Sequence, residues 1–95
     1  GEGGFRQLAH LNHERACALA DALGGVKGVK VENKAFFNEF VIMLTKPAAT
    51  IVETLAEQGI IAGYALEGGR LLVAATEMTG DDDIVSFCNA LKKAL

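Results

Sequence analysis

The sequence predicts an α+β domain with a mainly antiparallel sheet of about four strands and three helices. Two observations lead to this fold class. Apolar residues recur at helical spacing in three segments, and four short apolar runs between them have the length and composition of strands. The elements follow one another as helix, strand, strand, helix, strand, strand, helix. At 95 residues the chain is expected to form one domain, 1–95, around a single core.

The first half of the chain predicts one helix and two strands. Apolar spacing of three and four marks the helix face at Phe5, Leu8, Asn12, Ala16, Leu19 and Leu23. Gly24 and Gly25 end the helix, and Val29 alternates with charged neighbours in a short half-buried strand. The run from Phe40 to Leu44 is continuously apolar, which is typical of a strand buried on both faces.

The second half predicts a helix, a hairpin and a last helix. Pro47 suits the first helical position and Gly59 a left-handed cap at the other end. The runs 60–66 and 71–76 then form two strands around the turn 67–70, the second buried on both faces. Thr79 and Asp82 have the spacing of a capping box for the last helix.

Composition excludes several function classes. The chain is 51% hydrophobic, which is high for a small domain and indicates apolar surface meant for burial against another part of a larger assembly. A net charge of -3, with nine dispersed Lys and Arg residues, argues against nucleic acid as a partner. We expect no membrane segment and a cytoplasmic location, because long apolar runs and a signal-peptide pattern are missing. The start without Met suggests that the natural protein extends upstream.

The residues that carry chemistry are few. Cys17 and Cys88 occupy apolar helical positions and are expected to be small buried residues, not a disulfide or metal pair. His10 and His13 are expected at the surface, since no further ligands of fitting spacing accompany them. We assign no catalytic, cofactor-binding or metal-binding residue.

Three polar residues at strand ends are the candidate site. They are Asn38, Glu39 and Glu77. A solvated or ion-paired strand terminus explains the two glutamates better than a role as acid or base does, and Asn38 is of a type that bonds backbone more often than substrate. We therefore interpret them only as an interface or pocket rim.

Several segments of the chain resemble one enzyme family. They are Phe36–Val41 (FFNEFV), Leu55–Tyr64 (LAEQGIIAGY), Leu71–Glu77 (LLVAATE) and Gly4–Ala9 (GFRQLA). Together they resemble the C-terminal end of glycine dehydrogenase (decarboxylating) subunit 1, the alpha part of the P-protein of the glycine cleavage system. The resemblance covers nearly the whole chain. One departure is the short segment Ala65–Arg70, where family members often carry a longer acidic loop.

The resemblance implies the small C-terminal domain of a fold-type I pyridoxal-phosphate (PLP) enzyme. The complete enzyme, an oxidoreductase, decarboxylates glycine and passes the aminomethyl group to the lipoyl arm of H-protein. The Schiff-base lysine belongs to subunit 2 of that enzyme, so PLP is expected on the partner subunit, with none bound by this chain and no activity of the chain alone. The implied partners are the upstream large domain, subunit 2 and, through the complete enzyme, H-protein.

The residues also allow a second interpretation, a free-standing small-ligand or regulatory α+β module that senses amino acids. An exposed apolar sheet face distinguishes the two hypotheses. A domain of a larger enzyme is expected to have such a face and to self-associate through it in isolation, whereas an independent module would cover it or dimerise through it.

Overall fold

In the computed structural model the described residues form three helices and four strands in the predicted order, which confirms the fold class. It describes residues 2–32, 38–75 and 79–95, and side chains within these ranges from residue 13 onward. The elements are α1 (Glu2–Gly24), β1 (Val29–Val31), β2 (Glu39–Leu44), α2 (Ala48–Ala56), β3 (Tyr64–Ala65), β4 (Arg70–Ala74) and α3 (Asp81–Ala94). Among the described residues, no helix has the length and apolar character needed to cross a membrane.

The four strands form one antiparallel sheet in the order β1-β2-β4-β3. Register divides its side chains between two faces, because successive residues of a strand point to opposite sides. Phe40 lies opposite Val73, and Ile42 lies opposite Leu71, on what we call the inner face. Val41 pairs with Leu72 on the other side, which we call the outer face.

The core lies between the inner face and the helices. Ile42 and Leu71 are completely buried there. Buried residues from every helix join the same cluster: Ala16, Leu19, Ala20 and Leu23 from α1, Ala48, Ile51 and Leu55 from α2, and Ile84, Phe87, Ala90 and Leu91 from α3. The helices therefore pack on the inner face, and most of the hydrophobic stabilisation of the fold comes from this one interface.

The helix face predicted for α1 is confirmed where side chains are described. Ala16, Leu19 and Leu23 are buried, and the helix ends at Gly24. The side chains of Phe5, Leu8 and Asn12 lie outside the described part of the chain, as does that of His10.

Helix α2 begins one residue later than predicted. Pro47 is its N-cap, with an extended ψ of 130°, and Ala48 is the first helical residue. The proline ring fixes φ, here at -56°, and this value suits both the N-cap and the first helical position. The sequence therefore did not distinguish these two positions. The other end agrees with the prediction, because Gly59 has a φ of 77° and closes the helix in a Schellman motif. Its N–H donates to the carbonyl of Ala56 at 3.0 Å, and that of Ile60 donates to Leu55 at 2.9 Å.

The third strand is shorter than the predicted run 60–66. Only Tyr64 and Ala65 pair with β4, and Ile61 is 92% exposed. Gly63 interrupts the run with a φ of 146°, and a Cβ at this position would collide with the carbonyl oxygen of Leu72. The hairpin turn itself is as predicted, with Gly68 at a φ of 65° and the N–H of Leu66 bonded to the carbonyl of Arg70 at 2.8 Å.

The two long strands are buried on one face, not on both as their composition predicted. Phe40 and Val73 are buried, whereas Val41 and Leu72 are only half-buried. The prediction was wrong because a continuously apolar run is also compatible with one packed face and one apolar face that no helix fills. The outer face is thus apolar and partly exposed.

The capping arrangement of α3 is displaced by one residue from the prediction. Gly80 is the N-cap, and Asp83, not Asp82, is the third helical residue. The carboxylate of Asp83 accepts a hydrogen bond from the N–H of Gly80 at 2.9 Å. This is the reciprocal half of a capping box, and a glycine has no side chain with which to form the other half.

Candidate functional site: the outer sheet face

The outer face carries an apolar strip across the three neighbouring strands β2, β4 and β3. Val41, Met43 and Leu72 are half-buried, and Ala74 is exposed. Tyr64, opposite Leu72 on β3, is 70% exposed. Partly exposed apolar side chains gathered on one sheet face are typical of a surface that another protein segment covers.

Charged side chains border this strip. Lys30 on β1 and Arg70 on β4 both lie opposite Met43, one on each side of it. Arg70 donates from Nε to the Oε2 atom of Glu32 at 3.0 Å, so an ion pair spans the strip beside Met43. The outer face therefore combines apolar side chains with an ion pair that crosses them, and protein interfaces contain both kinds of group.

Two of the three predicted site residues, which are consecutive in the chain, lie at one end of the sheet where β2 begins. Asn38 is half-buried, and its backbone carbonyl accepts a hydrogen bond from the N–H of Ala75 at 2.9 Å. Glu39 is exposed and lies opposite Ala74 on the outer face. Glu77 lies outside the described residues. The interpretation of these residues as an interface or pocket rim stays a prediction.

The outer-face residues Val41, Met43, Tyr64 and Leu72 were not identified individually from the sequence. Alternate residues of a strand share a face, so the sequence shows which residues lie together. Which of the two faces they occupy depends on the register between strands. Two strongly apolar strands gave no contrast between odd and even positions. Among the described residues, charged side chains such as Lys30, Glu39 and Arg70 mark the outer face in the sequence.

The described ranges contain few groups suited to catalysis. No three or more His, Cys, Asp or Glu side chains of these ranges gather where they could hold a metal ion. A Schiff base to PLP requires a lysine in a desolvating pocket. Every lysine whose side chain is described is exposed, namely Lys27, Lys30, Lys46, Lys92 and Lys93. These residues do not fit the anchor of that cofactor.

The chain is similar over its whole length to curated proteins of one name. No family model matches it. A protein of Maricaulis maris named "Probable glycine dehydrogenase (decarboxylating) subunit 1" is 48% identical over 102 residues, and one of the same name from Rhodospirillum rubrum is 47% identical over 104 residues. Each match covers 100% of this chain and 23% of the relative. The chain thus spans less than a quarter of the length of these relatives.

Solved structures give the same result. A crystal structure of glycine decarboxylase (P-protein) of the glycine cleavage system, in inhibitor-bound form, superimposes with a TM-score of 0.94 at 34% identity, over 100% of this chain and 23% of that one. A C-DES variant with glycine covalently linked to its PLP cofactor superimposes with a TM-score of 0.79 at 16% identity, over 92% of this chain and 24% of that one, and shows the fold alone. The chain therefore corresponds, over its whole length, to the C-terminal part of proteins named glycine dehydrogenase (decarboxylating) subunit 1, as the sequence resemblance indicated.

Proposed function

We propose that residues 1–95 form the small C-terminal domain of a glycine-decarboxylating P-protein and that its role is structural. In this proposal the outer face packs against the upstream large domain of the same subunit. The supporting observation is the half-exposed apolar strip centred on Val41 and Leu72, since burying such a strip removes apolar surface from water. The relatives are long enough to supply the covering surface, because this chain accounts for only 23% of their length.

In this proposal the catalytic chemistry takes place outside this chain. PLP would be held by subunit 2, and the exposure of the described lysines supports a site elsewhere. When bound there, the cofactor supplies the electron sink needed to decarboxylate glycine. The proposed activity of the complete protein is that of an aminomethyl-transferring oxidoreductase in glycine catabolism, with the lipoyl arm of H-protein as acceptor. A cytoplasmic location belongs to the same proposal.

Asn38, Glu39 and Glu77 are proposed as the rim of the interface or of a pocket beside it. Glu39 supports this role by its exposure on the outer face next to the apolar strip. A rim carboxylate affects orientation and association rate more than affinity, because solvent screens it. No catalytic step is assigned to any of the three residues.

Light scattering together with binding of the dye ANS, with and without glycine and PLP, tests the proposal on the 95-residue chain. We expect self-association or strong dye binding that neither ligand changes. Leu72→Lys on the outer face should reduce both signals. The matched control is Val85→Lys, which changes an apolar side chain that is 57% exposed on α3, outside the sheet.

The competing function, a free-standing amino-acid-sensing module, predicts another result. A dye-silent monomer whose melting temperature rises with glycine would establish ligand binding by the chain itself. That outcome would refute the structural role.

A further inference from the structure

The apolar strip of the outer face has the dimensions of one helix. It crosses three neighbouring strands, β2, β4 and β3, so its two outer strands lie about 10 Å apart. Along β2 the strip extends from Glu39 to Met43, a distance of about 14 Å. A helix with its side chains is about 10–12 Å wide, and about nine of its residues span 14 Å along the axis. A single short helix therefore matches the strip in both directions.

The charged side chains of the outer face separate by sign along β2. At the start of β2, Glu39 is exposed and lies opposite Ala74. Towards the other end of the strand, Lys30 and Arg70 both lie opposite Met43. The ion pair with Glu32 offsets the charge of Arg70 in part, whereas Lys30 is exposed to solvent. The strip thus has a negative charge at one end and a positive charge at the other.

This separation of charge gives a helix on the strip a preferred direction. The N-terminus of a helix has a positive partial charge and the C-terminus a negative one. A helix whose N-terminus lies near Glu39 and whose C-terminus lies near Lys30 meets the opposite charge at both ends. The reverse direction brings like charges together at both ends, which is unfavourable.

We propose that an amphipathic helix from the upstream part of the protein covers the outer face and runs parallel to β2, with its N-terminus near Glu39 and its C-terminus near Lys30 and Arg70. The apolar stripe of this helix packs on Val41 and Leu72. This inference rests on the proposed function, because the upstream part supplies the cover. It adds the kind of segment and its direction. The relatives have room for such a helix, since this chain accounts for only 23% of their length.

Photo-cross-linking to the upstream part of the Maricaulis maris relative tests the direction. The photoreactive residue p-benzoylphenylalanine replaces Ala74, opposite Glu39, in one variant and Met43 in another. We expect the cross-link from position 43 to lie about nine residues further along the partner sequence than the cross-link from position 74. An extended segment would separate the two by only about four residues. The same photoreactive residue at Val85, which is exposed on α3, is the control and should give neither cross-link.

Charge reversal gives a second test that does not depend on a bulky substitution. Glu39→Lys and Lys30→Glu should each weaken binding to the same partner about three- to tenfold in low salt, and less in high salt. The matched controls are Glu53→Lys on α2 and Lys93→Glu on α3, which change exposed side chains of helices on the inner side of the sheet. Titration calorimetry should find these two controls within about twofold of the unaltered chain.

The possible outcomes distinguish this inference from the proposed function. Cross-links in the opposite order, or in segments that one helix cannot join, would overturn the inference and leave the covered outer face in place. Full affinity after charge reversal at Glu39 and at Lys30 would overturn the assigned direction. Absence of binding by the folded, unaltered chain would refute the proposed function, and this inference with it.

Discussion

At the scale of single residues, the tight packing of the sheet edge depends on Gly63. Its φ of 146° is accessible to glycine at low cost, and its α-carbon lies against the backbone of β4 at Leu72. Gly59 also has a positive φ, 77°, but no atom of a distant residue lies within 4 Å of the place where a Cβ would stand. A comparison of the two glycines therefore separates the effect of a positive φ, which both have, from the effect of a close backbone contact, which only Gly63 has.

We expect Gly63→Ala to lower the free energy of unfolding by about 3 kcal/mol or more, because conformational strain adds to a collision with backbone that cannot turn aside. Gly59→Ala should cost only about 1 kcal/mol, from strain alone. Urea denaturation of both variants measures the difference. Equal losses would show that the contact between Gly63 and Leu72 is not close in solution.

A second prediction at this scale concerns Cys88. Burial raises the pKa of its thiol above the ordinary value near 9.0. The unfolded chain therefore releases this proton first, and the stability contributed by the neutral thiol is complete below pH 9 and is lost as the pH rises through the raised pKa. We expect the free energy of unfolding to fall over this interval more steeply for the unaltered chain than for Cys88→Ala. Parallel pH profiles would contradict the partial burial of the thiol.

At the scale of elements, the N-terminus of α3 combines local and long-range polar contacts. Asp83 accepts the N–H of Gly80, and Asp81 pairs with Arg15 of α1 at 2.9 Å. The Arg15–Asp81 pair is exposed at Asp81 and contributes little by itself. The cap satisfies a backbone donor that the helix leaves free, and the negative charge favours the positive end of the helix dipole.

We therefore expect Asp83→Ala to lower the free energy of unfolding by about 1 kcal/mol, since both the cap and the dipole interaction are lost. Asp82→Ala is the matched control, because it removes a charge from the same turn without removing the cap, and should cost less than about 0.5 kcal/mol. Chemical denaturation in low salt compares the two. A larger loss for Asp82→Ala would place the cap at the position that the sequence pattern suggested.

At the scale of the whole molecule, helices cover one face of the sheet and leave the other uncovered. The inner face meets all three helices in one cluster that contains Ile42 and Leu71. The outer face has apolar side chains of comparable size at Val41, Met43 and Leu72, with Tyr64 largely exposed beside them. A domain that stood alone would leave this apolar surface in water, so the asymmetry argues for a covering partner.

The sequence predicted the element order and the described part of the α1 face, because helical periodicity and the glycine at the end of α2 are local signals. It placed the N-caps of α2 and α3 one residue away from their positions in the structure, because residues next to Pro47 and Gly80 are also suited to the N-cap. The site was predicted only in part. Glu39 was found because it is charged, whereas Leu72 was missed because its position on the outer face depends on its pairing with Val41, a long-range property.

Binding of this chain to the remainder of a relative's subunit 1, measured by titration calorimetry, tests most directly the proposal that the outer face is covered. The upstream part of the Maricaulis maris protein is a suitable partner. We expect Leu72→Glu to weaken the affinity about 30-fold or more, as a charge at the centre of an interface does, and Val85→Glu on α3 to leave it within about twofold. Tight binding unchanged by Leu72→Glu, or no binding by the folded unaltered chain, would contradict the account.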